Sequence, residues 1–142
     1  MYLLIDIGNT RIKWQHRDNE IVLNAGSMMV EDFMGINFSD LQSVKKVLIS
    51  NVNHALVLDK IKDSVAIFDC PIIEAKSQSN HVLINDYADT LTLGVDRWLT
   101  ALGAWKKHQK PLLVINAGTA ITIDLIDLDS QEKPHFKGGM IL

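Results

Sequence analysis

The sequence predicts an α/β fold: one domain of strands and helices, then the first strands of a second sheet. Three observations lead there. Short apolar runs at residues 2–5, 47–50 and 112–115 have the length of buried strands. Apolar residues recur at helical spacing around residues 53–61 and 93–108. Past Pro111 the strand pattern returns, so the alternation of strand and helix restarts within the 142 residues.

The run at 2–5 stops at Asp6, and Ile12 and Trp14 then alternate with Arg11, Lys13 and Gln15 as a strand does. Gly8-Asn9 forms the turn between these strands and Asp18-Asn19-Glu20 the next turn. Residues 21–23 make a third strand, so the chain opens with a three-stranded meander. Ser39 stands where it can cap a short helix through Lys45. Residues 47–50 form a buried strand, Asn53 caps a helix with Ala55, Leu58 and Ile61 on one stripe, and residues 65–68 are a further strand. Val82, Leu83 and Ile84 are compatible with a strand inside the polar stretch 74–89. A second helix starts between Leu93 and Arg97. Its Trp98, Leu102 and Trp105 recur at i, i+4 and i+7, and Lys106, Lys107 and His108 collect at its carboxyl end, where they complement the helix dipole. Beyond it, 112–115 is a buried strand, Ile121, Ile123 and Leu125 alternate with polar neighbours in another, and Phe136 leads into Gly138-Gly139.

The chain repeats its opening motif. Residues 4–10 (LIDIGNT) and 114–120 (VINAGTA) match in buried strand, carboxylate or amide, spacer, glycine and small polar residue. In each copy the glycine lets backbone amides approach a ligand closely, and amides beside hydroxyls suit phosphate oxygens. A carboxylate next to them suits a hydrated divalent cation. A single Asp-x-Gly-Asn is equally good hairpin chemistry. Its recurrence after a second buried strand is what points to two hairpins clamping a polyphosphate.

Hydrophobic residues make up 47% of the chain, enough for one core. Net charge is −3 and the 14 Lys and Arg are scattered, which lacks the electrostatic footprint of a nucleic-acid binder. The amino terminus carries no basic leader and places Asp6 early, against a signal peptide or a membrane span, so a cytoplasmic protein is expected. Cys70 stands alone beside Pro71 and reads as a small apolar filler, without disulfide partner or metal-site spacing.

Four segments, in order, resemble the successive motifs of the type III pantothenate kinases: residues 6–14 (DIGNTRIKW), Tyr87 with residues 93–98 (LGVDRW), residues 116–124 (NAGTAITID) and residues 136–141 (FKGGMI). The resemblance implies a ribonuclease-H-like, actin-type ATPase fold of the acetate-kinase, sugar-kinase and actin superfamily. Its first half would be complete over residues 1–110 and its second would begin at 111–142. It also implies a homodimer that phosphorylates pantothenate with ATP and Mg2+, the first step of coenzyme A synthesis, with a monovalent cation (K+ or NH4+) near the phosphates. By that pattern Asp6, Ile7, Gly8, Asn9, Thr10, Arg11, Ile12, Lys13 and Thr119 receive the ATP phosphates. Tyr87, Gly94, Val95, Asp96 and Arg97 line the pantothenate site, and Asp96 is the base that takes the proton of the attacking hydroxyl. Asp6 would hold the hydrated divalent cation and Asn116 the monovalent one. Elementary chemistry agrees, because phosphoryl transfer asks mainly for positioning and charge neutralisation. Without the resemblance, Asp96 reads as a first-turn carboxylate and Arg97 as a solvated charge.

The sequence departs from the family pattern in three places. Asn116 stands where the family has aspartate, keeping a carbonyl ligand but losing a charge, so weaker cation binding is expected. Thr90 replaces a proline, which loosens the loop before residues 93–98. The sequence stops at Leu142, just past the glycine pair, so the second sheet is expected to expose apolar surface and unpaired edges unless further chain or a partner covers it. Little kinase activity is expected of the isolated 142 residues. Two other readings stay open: a non-catalytic relative, since members of this family are described as accessory factors in transcription, and a superfamily kinase for another small alcohol, in which Tyr87 and residues 94–97 would have no reason to appear.

Overall fold

Leu3, Ile5 and Ile7 alternate with less buried residues along the opening run, which makes it a strand with one face committed to a core. In the computed structural model, which describes all residues from Met1 to Leu142, this strand is the centre of the first of two units, Met1–Ala75 and Lys76–Leu142.

The first unit contains β1 (Tyr2–Ile7), β2 (Arg11–Asp18), β3 (Ile21–Met29), β4 (Val47–Asn51), α1 (Ala55–Val65) and β5 (Ile72–Glu74). They form a five-stranded sheet in the order β3-β2-β1-β4-β5, in which β2 alone runs against the other four. The expected meander is present, and α1 is the crossover between the parallel strands β4 and β5. Leu58, Ile61 and Val65 of α1 pack with Leu3, Ile5, Ile7, Val47 and Ile49 of the sheet, joined by Phe33 and Phe38 from the connection after β3. Trp14 meets Phe38 edge-on at 5.9 Å. Its indole lies over Gly26, the residue it pairs with on β3, where a Cβ would overlap the ring.

Three local expectations are corrected here. The helix from Ser39 to Lys45 does not form. The Lys45 amide donates to the Met1 carbonyl and the Leu3 amide to the Lys46 carbonyl, so this segment is already drawn toward the β1 ladder, and seven residues are too few to nucleate a helix against that pull. Residues 65–68 are not a strand. Val65 extends the α1 stripe by one more turn, Ala66–Phe68 is a single 3-10 turn, Asp69 takes a left-handed φ of 46°, and pairing resumes only after Pro71. The residue at the N-cap of α1 is His54, not Asn53.

The second unit contains β6 (Ile84–Asn85), α2 (Val95–His108), β7 (Leu112–Ala117), β8 (Ile121–Leu128) and β9 (Pro134–Ile141). Strand order is β6-β9-β8-β7: an antiparallel meander with short β6 added parallel to β9. α2 lays Trp98 and Ala101 on Val114, Ile126 and Phe136, with Leu83 and Leu93 closing the core. The helix drawn with the first half by a boundary at residue 110 thus packs on the sheet of this unit. Its Lys106, Lys107 and His108 occupy the last turn, as the sequence led us to expect.

The burial of this sheet differs from the expected pattern. Of residues 112–115 only Val114 is buried; Leu113 and Ile115 are 61% and 65% exposed. On β8 the inward residues are Asp124 and Ile126, whereas Ile121 and Leu125 face outward. Leu113, Ile115, Ile123, Leu125 and Met140 share one register face, so β7–β9 presents an apolar surface on the side away from α2. No helix in the chain is long and apolar enough to cross a membrane.

Candidate active site

In the first unit the motif residues gather at the β1–β2 hairpin. Asp6, next to last in β1, lies opposite Lys13 on β2, and the turn beyond closes with the Gly8 amide donating to the Arg11 carbonyl at 3.0 Å. A Cβ on Gly8 would stand 3.1 Å from that carbonyl, which is why a small residue sits there. Ile7 and Ile12 are fully buried, so the hairpin offers a ligand their backbone and not their side chains. Two tethers hold the turn: the Val30 amide donates to the Thr10 carbonyl at 2.9 Å, and the Asn53 side-chain amide donates to the Gly8 carbonyl at 2.9 Å and the Asn9 carbonyl at 3.4 Å. Asn53 also accepts from the His54 amide, and its own amide donates to Asn51 Oδ1. Sequence reasoning saw Asn53 only as a helix cap. The signal it passed over was the pair Asn51 and Asn53 at and just past the end of β4, residues that favour local side-chain to backbone bonds.

The Asp6 carboxylate shares a sheet face with Lys13 and with Ser50, whose hydroxyl is buried without a hydrogen-bond partner. A carboxylate beside an orphaned hydroxyl is a donor set that fits a hydrated hard cation. Among the residues of the chain no group of three or more His, Cys, Asp or Glu has the geometry of a metal centre, so a cation here would be held largely through its water.

In the second unit Arg97, the neighbour of Asp96 in the first turn of α2, is held by Asp124, a carboxylate given no role in the sequence analysis. Arg97, in the first turn of α2, donates from Nε to both Asp124 oxygens at 3.2 Å and from Nη2 to Oδ1. Asp124 is fully buried. Its hydrogen bond holds the Arg97 guanidinium above its ordinary pKa, against the opposing effect of burial, and Tyr87 adds to the upward shift. Asp96 lies on the exposed side of the same turn, its carboxylate accepting from the Arg97 amide at 2.8 Å.

The glycine pair is explained by these neighbours. Gly138 has φ +111°, and a Cβ there would press on the Tyr87 ring at 3.2 Å; one on Gly139 would overlap the Ile123 carbonyl and the Asp124 carboxylate. Tyr87 also packs on Phe136 at 5.9 Å. Beside it Asp86 joins β9 through His135 at 2.5 Å and Lys137 at 2.9 Å, while His135 reaches Asp129 at 3.3 Å. Burial alone would raise the Asp86 carboxyl, but the bonds from Lys137 and His135 outweigh it and hold the group below its ordinary value.

The second copy of the repeat is also a hairpin. Its turn closes from the Gly118 amide to the Ala120 carbonyl at 3.0 Å. Asn116, half-buried at the end of β7, donates its side-chain amide to Thr122 Oγ1 at 3.3 Å, and Thr119 sits in the turn itself. The structure therefore collects the predicted residues into one hairpin group in the first unit, and into a Tyr87–Asp96–Arg97 group and an Asn116–Thr119 hairpin in the second.

The family described as type III pantothenate kinase matches residues 2–142. A type III pantothenate kinase of Azoarcus sp. (strain BH72) is 36% identical over 100% of this chain and 54% of its own length. Similar relatives come from Dichelobacter nodosus (36% identical; 100% of this chain, 58% of the relative) and Cellvibrio japonicus (34%; 99% and 57%). The chain thus spans about half the length of the curated relatives it matches. With the four motifs in order and a family match along its whole length, the chain belongs to the type III pantothenate kinase family.

Proposed function

We propose that the protein to which this chain belongs transfers the γ-phosphoryl group of ATP to the primary hydroxyl of pantothenate, opening coenzyme A synthesis. The observation that carries this reading is the Arg97–Asp124 pair at the start of α2. A fully buried carboxylate fixes a guanidinium in the same turn that exposes Asp96, so a rigid ion pair anchors the turn that carries a solvent-exposed carboxylate. Asp96 would orient the pantothenate hydroxyl and accept its proton. In a loose phosphoryl-transfer transition state the orienting role matters most. Tyr87 and Arg97 would line the acceptor site.

The Asp6–Lys13 hairpin would receive the phosphates through backbone amides and the Lys13 ammonium. Asp6 would hold Mg2+ through water, and the ion would offset charge on the transferred phosphoryl group. Asn116 would offer one carbonyl to a potassium or ammonium ion. The strand order β3-β2-β1-β4-β5 with β2 alone reversed supports a ribonuclease-H-like, actin-type half. The outward apolar face of β7–β9 supports a working molecule in which further chain or a second copy covers that face. Asn116 in place of aspartate favours the second reading, a relative that binds without catalysis.

The test is pantothenate-dependent ADP release by this chain joined to the carboxyl-terminal part of the Azoarcus relative. Turnover should appear, and Asp96→Asn should lower it about 100-fold or more. Turnover unchanged in Asp96→Asn would remove Asp96 from the chemistry, and none in either protein would favour the non-catalytic reading.

A further inference from the structure

The β4 strand brings to the Asp6 hairpin a residue that no motif named. Asp6 pairs with Lys13 on one side and with Ser50 on the other. Residues paired across neighbouring strands project from the same face, so Lys13, Asp6 and Ser50 stand in one row, with neighbouring strands about 4.8 Å apart. Ile7 and Ile49 project to the opposite face and are buried in the core. Ser50 is 7% exposed, and its Oγ has no hydrogen-bond partner in the protein. Burying a hydroxyl without a partner is unfavourable, and an alanine of nearly the same size would avoid the cost. Stability therefore gives no reason for a serine here, and a ligand does.

The row sets a cation, a carboxylate and a neutral donor-acceptor side by side at the strand end from which the Gly8 turn leaves. A phosphate oxygen seated between Asp6 and Ser50 would meet the carboxylate charge. Lys13 is the natural seat for that oxygen. The Asp6–Ser50 side suits a divalent cation that keeps its water, as Mg2+ does when few protein groups bind it.

We propose that Ser50 shares with Asp6 the water shell of the divalent cation that accompanies a nucleotide polyphosphate, its hydroxyl bonding one cation-bound water. The proposal rests on the phosphate-binding reading of the Asp6 hairpin. Mn2+ serves as the probe: free Mn2+ is followed by electron paramagnetic resonance as the 142-residue chain is titrated with and without ATP, and metal-free ATP binding is measured by calorimetry. Ser50→Ala should weaken Mn2+–ATP binding about fivefold or more, the scale of one lost hydrogen bond. It should leave metal-free ATP binding unchanged and the melting temperature equal or higher. Asp6→Asn should show the same selective loss. Mn2+–ATP binding within about twofold of wild type in Ser50→Ala, or an equal loss for metal-free ATP, overturns the proposal. A lower melting temperature in Ser50→Ala also overturns it, by showing a structural role. If the wild-type chain binds ATP neither with nor without Mn2+, the phosphate-binding reading itself fails and the role of Ser50 falls with it.

Discussion

Arg97 grips Asp124 through one edge of its guanidinium, Nε reaching both carboxylate oxygens at 3.2 Å and Nη2 reaching Oδ1, with the carboxylate wholly removed from solvent. The pair joins the first turn of α2 to the middle of β8, and so ties the helix that carries Asp96 to its sheet. Breaking one side leaves the other charge buried and alone. Asp124→Ala should cost about 3–5 kcal/mol in urea unfolding, well above an ordinary surface change. A loss below about 1 kcal/mol would mean that Arg97 escapes to solvent and that its position is not set by Asp124.

Gly138 and Gly139 should differ in their tolerance of alanine. At Gly139 the new methyl group meets the Ile123 backbone, which cannot yield without moving β8, and the Asp124 carboxylate as well. At Gly138 it meets the Tyr87 ring, a side chain that can rotate, although the φ of +111° adds strain. Gly138→Ala should cost about 1–3 kcal/mol, and Gly139→Ala more, as read from urea midpoints. The reverse order would contradict the role assigned to each.

The Asn53 tether predicts a local effect. Asn53→Ala removes the bonds to the Gly8 and Asn9 carbonyls, so amide exchange at residues 8–11 should rise while β1 and β4 keep their protection. The global cost should be about 1 kcal/mol. Unchanged exchange in the turn would show that the Val30–Thr10 bond holds it unaided.

The Asp86–His135–Asp129 cluster predicts an acid limb. Hydrogen bonds from Lys137 and His135 bring Asp86 below its ordinary 3.8 despite burial, and the Lys133 amide, ahead of the Gln131 amide and His135, lowers Asp129. For a carboxyl whose folded pKa is depressed, the contribution to stability is present above the unfolded value and is lost as pH falls through the folded one. Melting temperature should therefore decline below about pH 4. The combined His135→Asn and Lys137→Ala variant should start lower at pH 7 and decline less. Parallel profiles for the two proteins would show that the cluster adds nothing.

How far the sequence disclosed this follows from the range of each interaction. The β1–β2–β3 meander and both helices were legible because period, turn residues and the cationic last turn of α2 are local signals. Residues 39–45 misled because their fate is decided by pairing with Met1 and Leu3 at the far end of the unit. The face of β8 was misread for a similar reason. Its apolar residues Ile121 and Leu125 alternate as a core face would, yet the side carrying Asp124 is the one that α2 covers, since Arg97 supplies that carboxylate with a partner 27 residues away. Asp6, Asp96 and Arg97 were marked by motif. Asn53 and Ser50 were not, and Asp124, though it ends the third motif, was given no role there, because each matters through a neighbour that only the fold supplies.

The outward face of β7–β9 bears on the isolated chain. Leu113, Ile115 and Met140 are all more than half exposed on one surface. Sedimentation of the 142 residues should show concentration-dependent association, which Ile115→Lys with Met140→Lys should suppress without unfolding the chain. A monomer at all concentrations would contradict this.

The first turn of α2 is the proposed acceptor site for pantothenate. Calorimetric titration of pantothenate into the chain, in the presence of a non-hydrolysable ATP analogue, tests it most directly. A pantothenate-dependent heat that is lost in Asp96→Asn is expected; binding that persists undiminished in that variant, or no binding of either ligand to the wild type, would overturn the assignment.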